Sequence, residues 1–204
     1  MYNLKIKKFR VKDENIKNYD LFKVDYIPNF VNKNESNEVF AFINDIFINE
    51  KFSNTSRRSI TFGDENLVYK IQFKNGTVSR PTKEWNNHIV NLKINLELFL
   101  FEKYGISIKF NICVAQRYPS GKVGIQPHKD KEMNSGIERT LIAGISLGET
   151  RILDMGPSQD PVLSLPLNNG SLYLFLPPTN DYYTHSIRKD ETLDPRISLT
   201  FRKI

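Results

Sequence analysis

Downstream of Gly105 the chain breaks into short β-type runs, and this pattern constrains the fold more than any other feature of the sequence. The runs are Ser107 to Tyr118, Leu141 to Leu147, Arg151 to Met155, Val162 to Leu167, Ser171 to Leu176, Tyr183 to Ile187 and Arg196 to Phe201. Turn signals such as Pro119-Ser120-Gly121, Gly156-Pro157 and Asn168-Asn169-Gly170 separate them. Upstream, spacing predicts two amphipathic helices. Glu35 to Phe47 sets Val39, Phe40, Phe42, Ile43, Ile46 and Phe47 at helical intervals. A longer helix is predicted from Thr82, as N-cap, to Tyr104, with Trp85, Ile89, Leu92, Leu96 and Phe99 on one side and Gly105 as its stop. Helices followed by many short strands predict an α+β fold: a double-stranded β-helix, or jelly roll, with N-terminal helices packed on the outside. Such a fold leaves a cleft between its sheets.

The chain has only three histidines, and two of them stand out. His128 is followed two residues later by Asp130, and in an extended segment residues two apart face the same way. His185 lies on a predicted strand and would supply a third ligand. Two histidines and one carboxylate on one face of an ion leave the opposite positions open, which suits non-haem Fe(II) and oxygen chemistry. A His-x-Asp alone is better read as chance or as a buried hydrogen-bonded pair. His88, mid-helix with no acidic partner in pattern, reads as structural or surface.

The last strand adds to this. In Arg196-Ile-Ser-Leu-Thr-Phe-Arg202, alternation puts Arg196, Ser198, Thr200 and Arg202 on one face and Ile197, Leu199 and Phe201 on the other. Two guanidinium forks could hold a dicarboxylate beside a metal. A solvated edge with two surface arginines is the other reading of this strand.

The ordered segments Tyr118 to Gly121, His128-Lys-Asp130-Lys-Glu132, Ile145-Ser-Leu-Gly148 with Arg151, Gly170-Ser-Leu172, PPTNDYYTHSI (Pro177 to Ile187) and PRISLTFRKI (Pro195 to Ile204) resemble the AlkB family. The likeness is closest to the eukaryotic AlkB homologues that repair alkylated DNA. It extends upstream through Arg57-Arg58, Thr61 to Asp64, Tyr69 and Phe110-Asn111, and loosely to Tyr26–Val31. The resemblance implies that His128, Asp130 and His185 ligate Fe(II). Arg196 would pair with the distal carboxylate of 2-oxoglutarate, Arg202 would sit near its other end, and Tyr118 would donate its hydroxyl to it. Glu132 and Tyr69 fall at substrate-site positions, and Arg57 and Arg58 in a lid near the nucleic acid. It also implies one domain over 1–204: an N-terminal extension and helix (1–55), a nucleotide-recognition lid and support helix (56–105), and the jelly-roll catalytic core (106–204).

Two positions and one stretch depart from the family pattern. Gln116 stands where members usually have Asn, adjusting cosubstrate binding. Ile71 stands where the DNA-repair relatives often stack an aromatic on the flipped base, a contact worth about 1–3 kcal/mol. The stretch between Phe47 and Arg57 is short for the hairpin that the duplex-repair relative wedges into the stack, which favours single strands.

The expected activity is oxidative dealkylation of N-alkylated bases with Fe(II), 2-oxoglutarate and oxygen, releasing succinate, carbon dioxide and an aldehyde. The expected partner is nucleic acid: alkylated DNA, with RNA as the alternative. Rival readings are an RNA demethylase, another 2-oxoglutarate hydroxylase, or a nucleic-acid binding module without catalysis. A formal charge of +6 is compatible with a polyanion without singling one out. The single cysteine, Cys113, excludes an intrachain disulfide and reads as a core residue. No membrane-length apolar run and no secretory-type start are present, so the expectation is an intracellular monomer, nuclear or cytoplasmic, neither secreted nor membrane-bound.

Overall fold

The computed structural model describes residues 4–12, 20–50, 55–73, 76–130, 141–157 and 160–204. In chain order its elements are β1 (Lys7–Lys12), β2 (Asp20–Ile27), α1 (Lys33–Asn49), β3 (Arg58–Gly63), β4 (Val68–Phe73), β5 (Gly76–Pro81), α2 (Asn87–Tyr104), β6 (Ile112–Tyr118), β7 (Ile125–His128), β8 (Ile142–Gly148), β9 (Arg151–Gly156), β10 (Leu163–Leu167), β11 (Ser171–Phe175), α3 (Thr179–Tyr182), β12 (Thr184–Ile187) and β13 (Arg196–Arg202). The larger sheet runs β1-β2-β11-β8-β13-β6-β3, the smaller β10-β9-β12-β7, and β4-β5 form a separate hairpin. The jelly roll expected from the strand series is present.

Period-two alternation sorts the larger sheet into two faces. Ala143, Ile145 and Leu147 of β8, Leu172 and Leu174 of β11, and Ile197, Leu199 and Phe201 of β13 join the buried faces of α1 and α2 in one core. The opposite face, with Tyr118, Ile142, Tyr173 and Phe175, meets Leu153, Met155 and Ile187 of the smaller sheet in a second core. The helices therefore cover the outside, and the polar face of β13 looks between the sheets. Gly144 is needed there: a Cβ would come within 2.0 Å of the Tyr173 ring.

Helix α1 starts at Asn32, whose side chain accepts from Glu35 N–H at 3.0 Å, and it buries Val39, Ile43 and Phe47 at helical spacing. Helix α2 begins later than Thr82. Asn86 is its N-cap, accepting from Ile89 N–H at 3.0 Å, and Trp85 precedes it. The Thr82 hydroxyl donates instead to the carbonyls of Asp64 and Leu67, fastening the β3–β4 turn to the end of β5. Gly105 ends α2 in the left-handed region, φ 67°, as its sequence position suggested. Cys113 is fully buried in the helix-side core, and burial pushes its thiol pKa up. No described helix is long and apolar enough to cross a membrane.

The N-terminal stretch holds more than a helix. Strand β2 pairs with β11 from Ile27↔Leu172 to Val24↔Phe175, and β1 pairs with β2, so both complete the larger sheet. Asp25, fully buried, is held there by Arg10 at 2.8 Å and by the Tyr104 hydroxyl at 2.7 Å.

One buried cation fixes the loop that leads into β7. Arg151 donates from Nη1 to the Ser120 carbonyl at 3.1 Å, and from Nη2 to Gly121 at 3.1 Å, Val123 at 3.2 Å and Arg188 at 2.5 Å. Its Nε lies 2.7 Å from Asp190. Strands β7 and β12 are thereby tied at the Ile125 and Ile187 end of their pairing, opposite the end that carries His128 and His185. Arg151→Met should destabilise the protein by about 3–5 kcal/mol, because five acceptors lose a charged donor group. Urea denaturation reads this directly, and a loss below about 1 kcal/mol would show that the hub does not hold the loop.

Candidate active site

The short strands β7 and β12 pair with His128 opposite His185. The two rings sit 4.3 Å apart between centroids, and Asp130 follows β7 directly. Asp130 Oδ1 lies 3.5 Å from His128 Nε2, and its Oδ2 lies 3.8 Å from His185 Nε2. One ligand atom from each residue falls within 4.8 Å of the others. With metal–ligand bonds of about 2.1 Å, neighbouring ligand atoms on one ion sit on the order of 3 Å apart, so the two Asp130 separations need to close by under about 1 Å each.

The protonation states suit a metal. His128 Nδ1 donates to the Gln126 carbonyl at 2.9 Å, which turns Nε2 toward Asp130. Burial pushes the His185 imidazole down to about 4, with Asp130 pulling the other way and His128, Arg202 and Arg57 adding to the push. Burial would raise the Asp130 carboxyl, but Arg202, then His185 and His128, outweigh it and hold it well below the usual carboxylate range. Two short contacts fasten Asp130 from behind. Its N–H donates to Asn180 Oδ1 at 3.0 Å, and Asn180 Nδ2 donates to its carbonyl at 2.9 Å.

The arginines of β13 are interior groups, not a solvated edge. Strand β13 is central, pairing with β6 and β8, and Arg196 and Arg202 are 1% and 4% exposed. Arg202 Nη2 donates to Asp130 Oδ2 at 2.5 Å, so its main engagement is with the metal-site carboxylate. Arg196 donates from Nε to Ser146 Oγ at 2.8 Å and stacks over the Tyr118 ring at 5.3 Å. Its buried Nη1 and Nη2 have no hydrogen-bond partner among the described residues. An uncompensated buried guanidinium costs several kcal/mol, so this fork calls for a carboxylate. The narrow cleft that would take it is lined by Tyr118, Tyr173, His185, Arg196, Ser198 and Thr200.

The remaining expected positions lie around a second cavity of about 410 Å³, bordered by Tyr69, Ile71, Arg57, Gln116, His128 and Asp130. Tyr69 and Ile71 come from the β4-β5 hairpin, which sequence reading missed although Asn75-Gly76 between two alternating runs is a hairpin signal. Arg57 turns inward: its Nη1 donates to Gln116 Oε1 at 3.1 Å. Arg58 opens β3 and lines an outer groove of about 400 Å³ with Arg57, Arg80 and Lys83. Arg80, Lys83 and Asn180 had not been singled out, and only proximity in the fold reveals them. Glu132 lies outside the described residues. His88 packs on Phe42 at 4.6 Å, remote from the site.

Fold and site together define a class: an oxygenase-type jelly roll with a 2-His-1-carboxylate set and a buried cationic fork for an acid beside it. Comparison with known proteins agrees. Residues 23–202 match the model of the 2OG-Fe(II) oxygenase superfamily, and the chain belongs to that superfamily. By class it is an Fe(II)- and 2-oxoglutarate-dependent dioxygenase, and the residues present fit both groups. Within the class it is AlkB-like. It is 30% identical over 164 residues to the DNA oxidative demethylase ALKBH2 of Bos taurus, covering 76% of this chain and 55% of that protein. It is 30% identical over 165 residues to the ALKBH2 of Homo sapiens, covering 76% of this chain and 59% of that protein. The chain thus spans little more than half the length of these relatives. Among solved structures, OsALKBH1 superimposes with a TM-score of 0.61 at 16% identity, covering 92% of this chain and 99% of that one. A prolyl hydroxylase from Trichoplax adhaerens, solved with a hypoxia inducible factor peptide, gives 0.59 at 15%, covering 88% and 82%. These two likenesses concern the fold.

Because folded His185 is held near 4 against an ordinary 6.5, the unfolded chain takes up a proton there before the folded chain does. The metal-free protein should keep this stability above pH 6.5 and lose up to about 3 kcal/mol as pH falls towards 4. Urea denaturation across that window measures the loss. The slope should be shallower in His185→Gln, and identical slopes in both proteins would refute the assignment.

Proposed function

We propose that the protein removes alkyl groups oxidatively from N-alkylated bases of nucleic acid, DNA in the first place. The observation that carries this reading is the cavity of about 410 Å³ that opens over His128 and Asp130 and adjoins the basic groove of Arg57, Arg58, Arg80 and Lys83. A base must leave its stack to reach a metal at such a depth, and a groove of cations beside the opening suits the flanking phosphates. The likeness to the DNA oxidative demethylase ALKBH2 supports the same substrate class.

In this reading His128, Asp130 and His185 hold Fe(II), and Arg196 holds the distal carboxylate of 2-oxoglutarate. Fe(II) with 2-oxoglutarate and oxygen supplies the oxidation, giving succinate and carbon dioxide and hydroxylating the alkyl carbon, which departs as an aldehyde. The chain's residues do the rest. Arg202 keeps Asp130 ionised and aimed, Asn180 clamps its backbone, and the two cores keep bulk water from the cleft. Tyr69 and Ile71 wall the base, with Glu132 proposed at its polar edge. Ile71 offers an aliphatic wall in place of an aromatic stack, and the link between α1 and β3 is short, both favouring single strands over duplex. We further propose one functional domain acting inside the cell as a monomer.

The deciding assay is formaldehyde and succinate release with Fe(II), 2-oxoglutarate and an oligodeoxynucleotide carrying 1-methyladenine, single-stranded, as duplex and as RNA. Lesion-dependent release, greatest on the single DNA strand, is expected. Succinate without lesion dependence would move the substrate elsewhere, and iron-loaded protein releasing none would leave a binding module. His128→Ala or His185→Ala should abolish release, and Arg196→Ala should raise the 2-oxoglutarate requirement while sparing oligonucleotide binding.

Arg58→Ala should weaken oligonucleotide binding and lower the slope of log K against log salt by about 1. A slope unchanged within error would remove Arg58 from the phosphate contacts.

A further inference from the structure

Arg57 stands just before β3, where the outer groove and the base-sized cavity share a wall, and it lines both. Its guanidinium does not stay at that rim. Nη1 donates to Gln116 Oε1 at 3.1 Å, and the Tyr118 hydroxyl reaches the same oxygen at 3.4 Å. Gln116 in turn lines both the cavity and the narrow cleft that contains Arg196. Two contacts therefore connect the groove to the cleft.

A glutamine amide accepts at one end and donates at the other, whereas a guanidinium only donates. Contact with Arg57 consequently fixes which way the Gln116 amide lies. Oε1 is committed to Arg57 and Tyr118, and Nε2 is the end left for an acceptor. A carboxylate can only accept. In this orientation Gln116 offers it an N–H; turned over, it would present a carbonyl oxygen, which repels. Side-chain length matters too, because an Asn at 116 ends one methylene short of the oxygen that Arg57 now holds.

We propose that Arg57 is a positioning residue for the cosubstrate: by holding Gln116 Oε1 it presents Gln116 Nε2 to a carboxylate of 2-oxoglutarate. A residue expected to serve only the nucleic acid thus takes part in cosubstrate recognition, and the glutamine at 116 is the length that makes the contact. The proposal rests on the cosubstrate of the superfamily and not on the nature of the oxidised substrate.

The test is calorimetric titration of 2-oxoglutarate into Mn(II)-loaded protein with no nucleic acid present. Arg57→Met should weaken 2-oxoglutarate binding about tenfold, the scale of one hydrogen bond to a charged group, while Mn(II) affinity and the thermal midpoint stay as in the parent. Gln116→Leu should lose a similar factor, and the double variant no more than either single, since both act through one contact. Arg57→Lys should recover part of the loss. Parent-like 2-oxoglutarate affinity in Arg57→Met would overturn the proposal, as would single losses that add in full. Should Arg57→Met fail to fold, Gln116→Asn alone and combined with Arg57→Lys gives the same comparison: additive losses refute it. Because no oligonucleotide enters the titration, its outcome is independent of the substrate reading.

Discussion

Strand β13 is buried on both faces, and the partition of its side chains is the constraint from which the site follows. It is paired along its length with β6, from Arg196↔Tyr118 to Arg202↔Ile112, and with β8, from Arg196↔Gly148 to Phe201↔Ala143. That double pairing fixes which residues look toward the helices and which toward the cleft. A slip of one residue would send two guanidinium groups into the helix-side core and three apolar side chains toward the metal site. The cost of burying unpaired charge makes that register untenable. Ile197, Leu199 and Phe201 thus anchor the arginines as much as they fill a core.

Charge in the cleft follows from the same arrangement. Three guanidinium groups, of Arg57, Arg196 and Arg202, gather around a single described carboxylate, that of Asp130. Arg202 donates from Nη2 to Asp130, and Arg57 is held by the neutral Gln116. Arg196 alone has both terminal nitrogens unengaged. A dicarboxylate brings two negative charges to a site with a surplus of two positive ones, so cosubstrate binding relieves a cost that folding leaves outstanding. The depressed pKa of Asp130 belongs to this picture: the carboxylate is kept ionised by the guanidinium that also holds it in place.

Much of this was legible from residues alone, and the misses have physical causes. The seven strands read after Gly105 carry apolar residues at alternating or successive positions between firm turn signals, and all seven are present, although β6 begins at Ile112 and not Ser107. The triad and the β13 arginines were readable because their spacing is local or strictly alternating. Strands β1 and β2 were not read, because the charged residues Lys8, Arg10, Lys23 and Asp25 interleave with Phe9 and Val11 and with Phe22, Val24 and Tyr26. Strand β7 is four residues long and contains Pro127, which a sheet edge tolerates and a sequence rule rejects. Thr82 lost the capping role to Asn86 because its hydroxyl is committed to the β3–β4 turn. The Arg57–Gln116 contact spans 59 residues and leaves no trace in local pattern.

The two walls of the site are built to different standards. The proposed metal and cosubstrate residues sit on or beside strands paired on both sides or clamped by Arg151 and Asn180, within two extended cores. The proposed substrate wall is carried by a two-stranded hairpin that meets the sheet through a small cluster of Tyr69, Ile112 and Val114, joined by Leu67, Ile71 and Ile204. A hairpin with so little buried surface opens more readily than the sheet beneath it, so it can change residues or shape at low cost to the fold. The departures follow that division. Ile71 stands on the adaptable wall, where the proposed function puts the base. Gln116 departs on the rigid wall, and there the change is matched by a partner, Arg57, whose reach suits the longer side chain. Substitution without a partner is tolerable only where the backbone can give; in the cleft it requires a second residue to restore the orientation of a polar group.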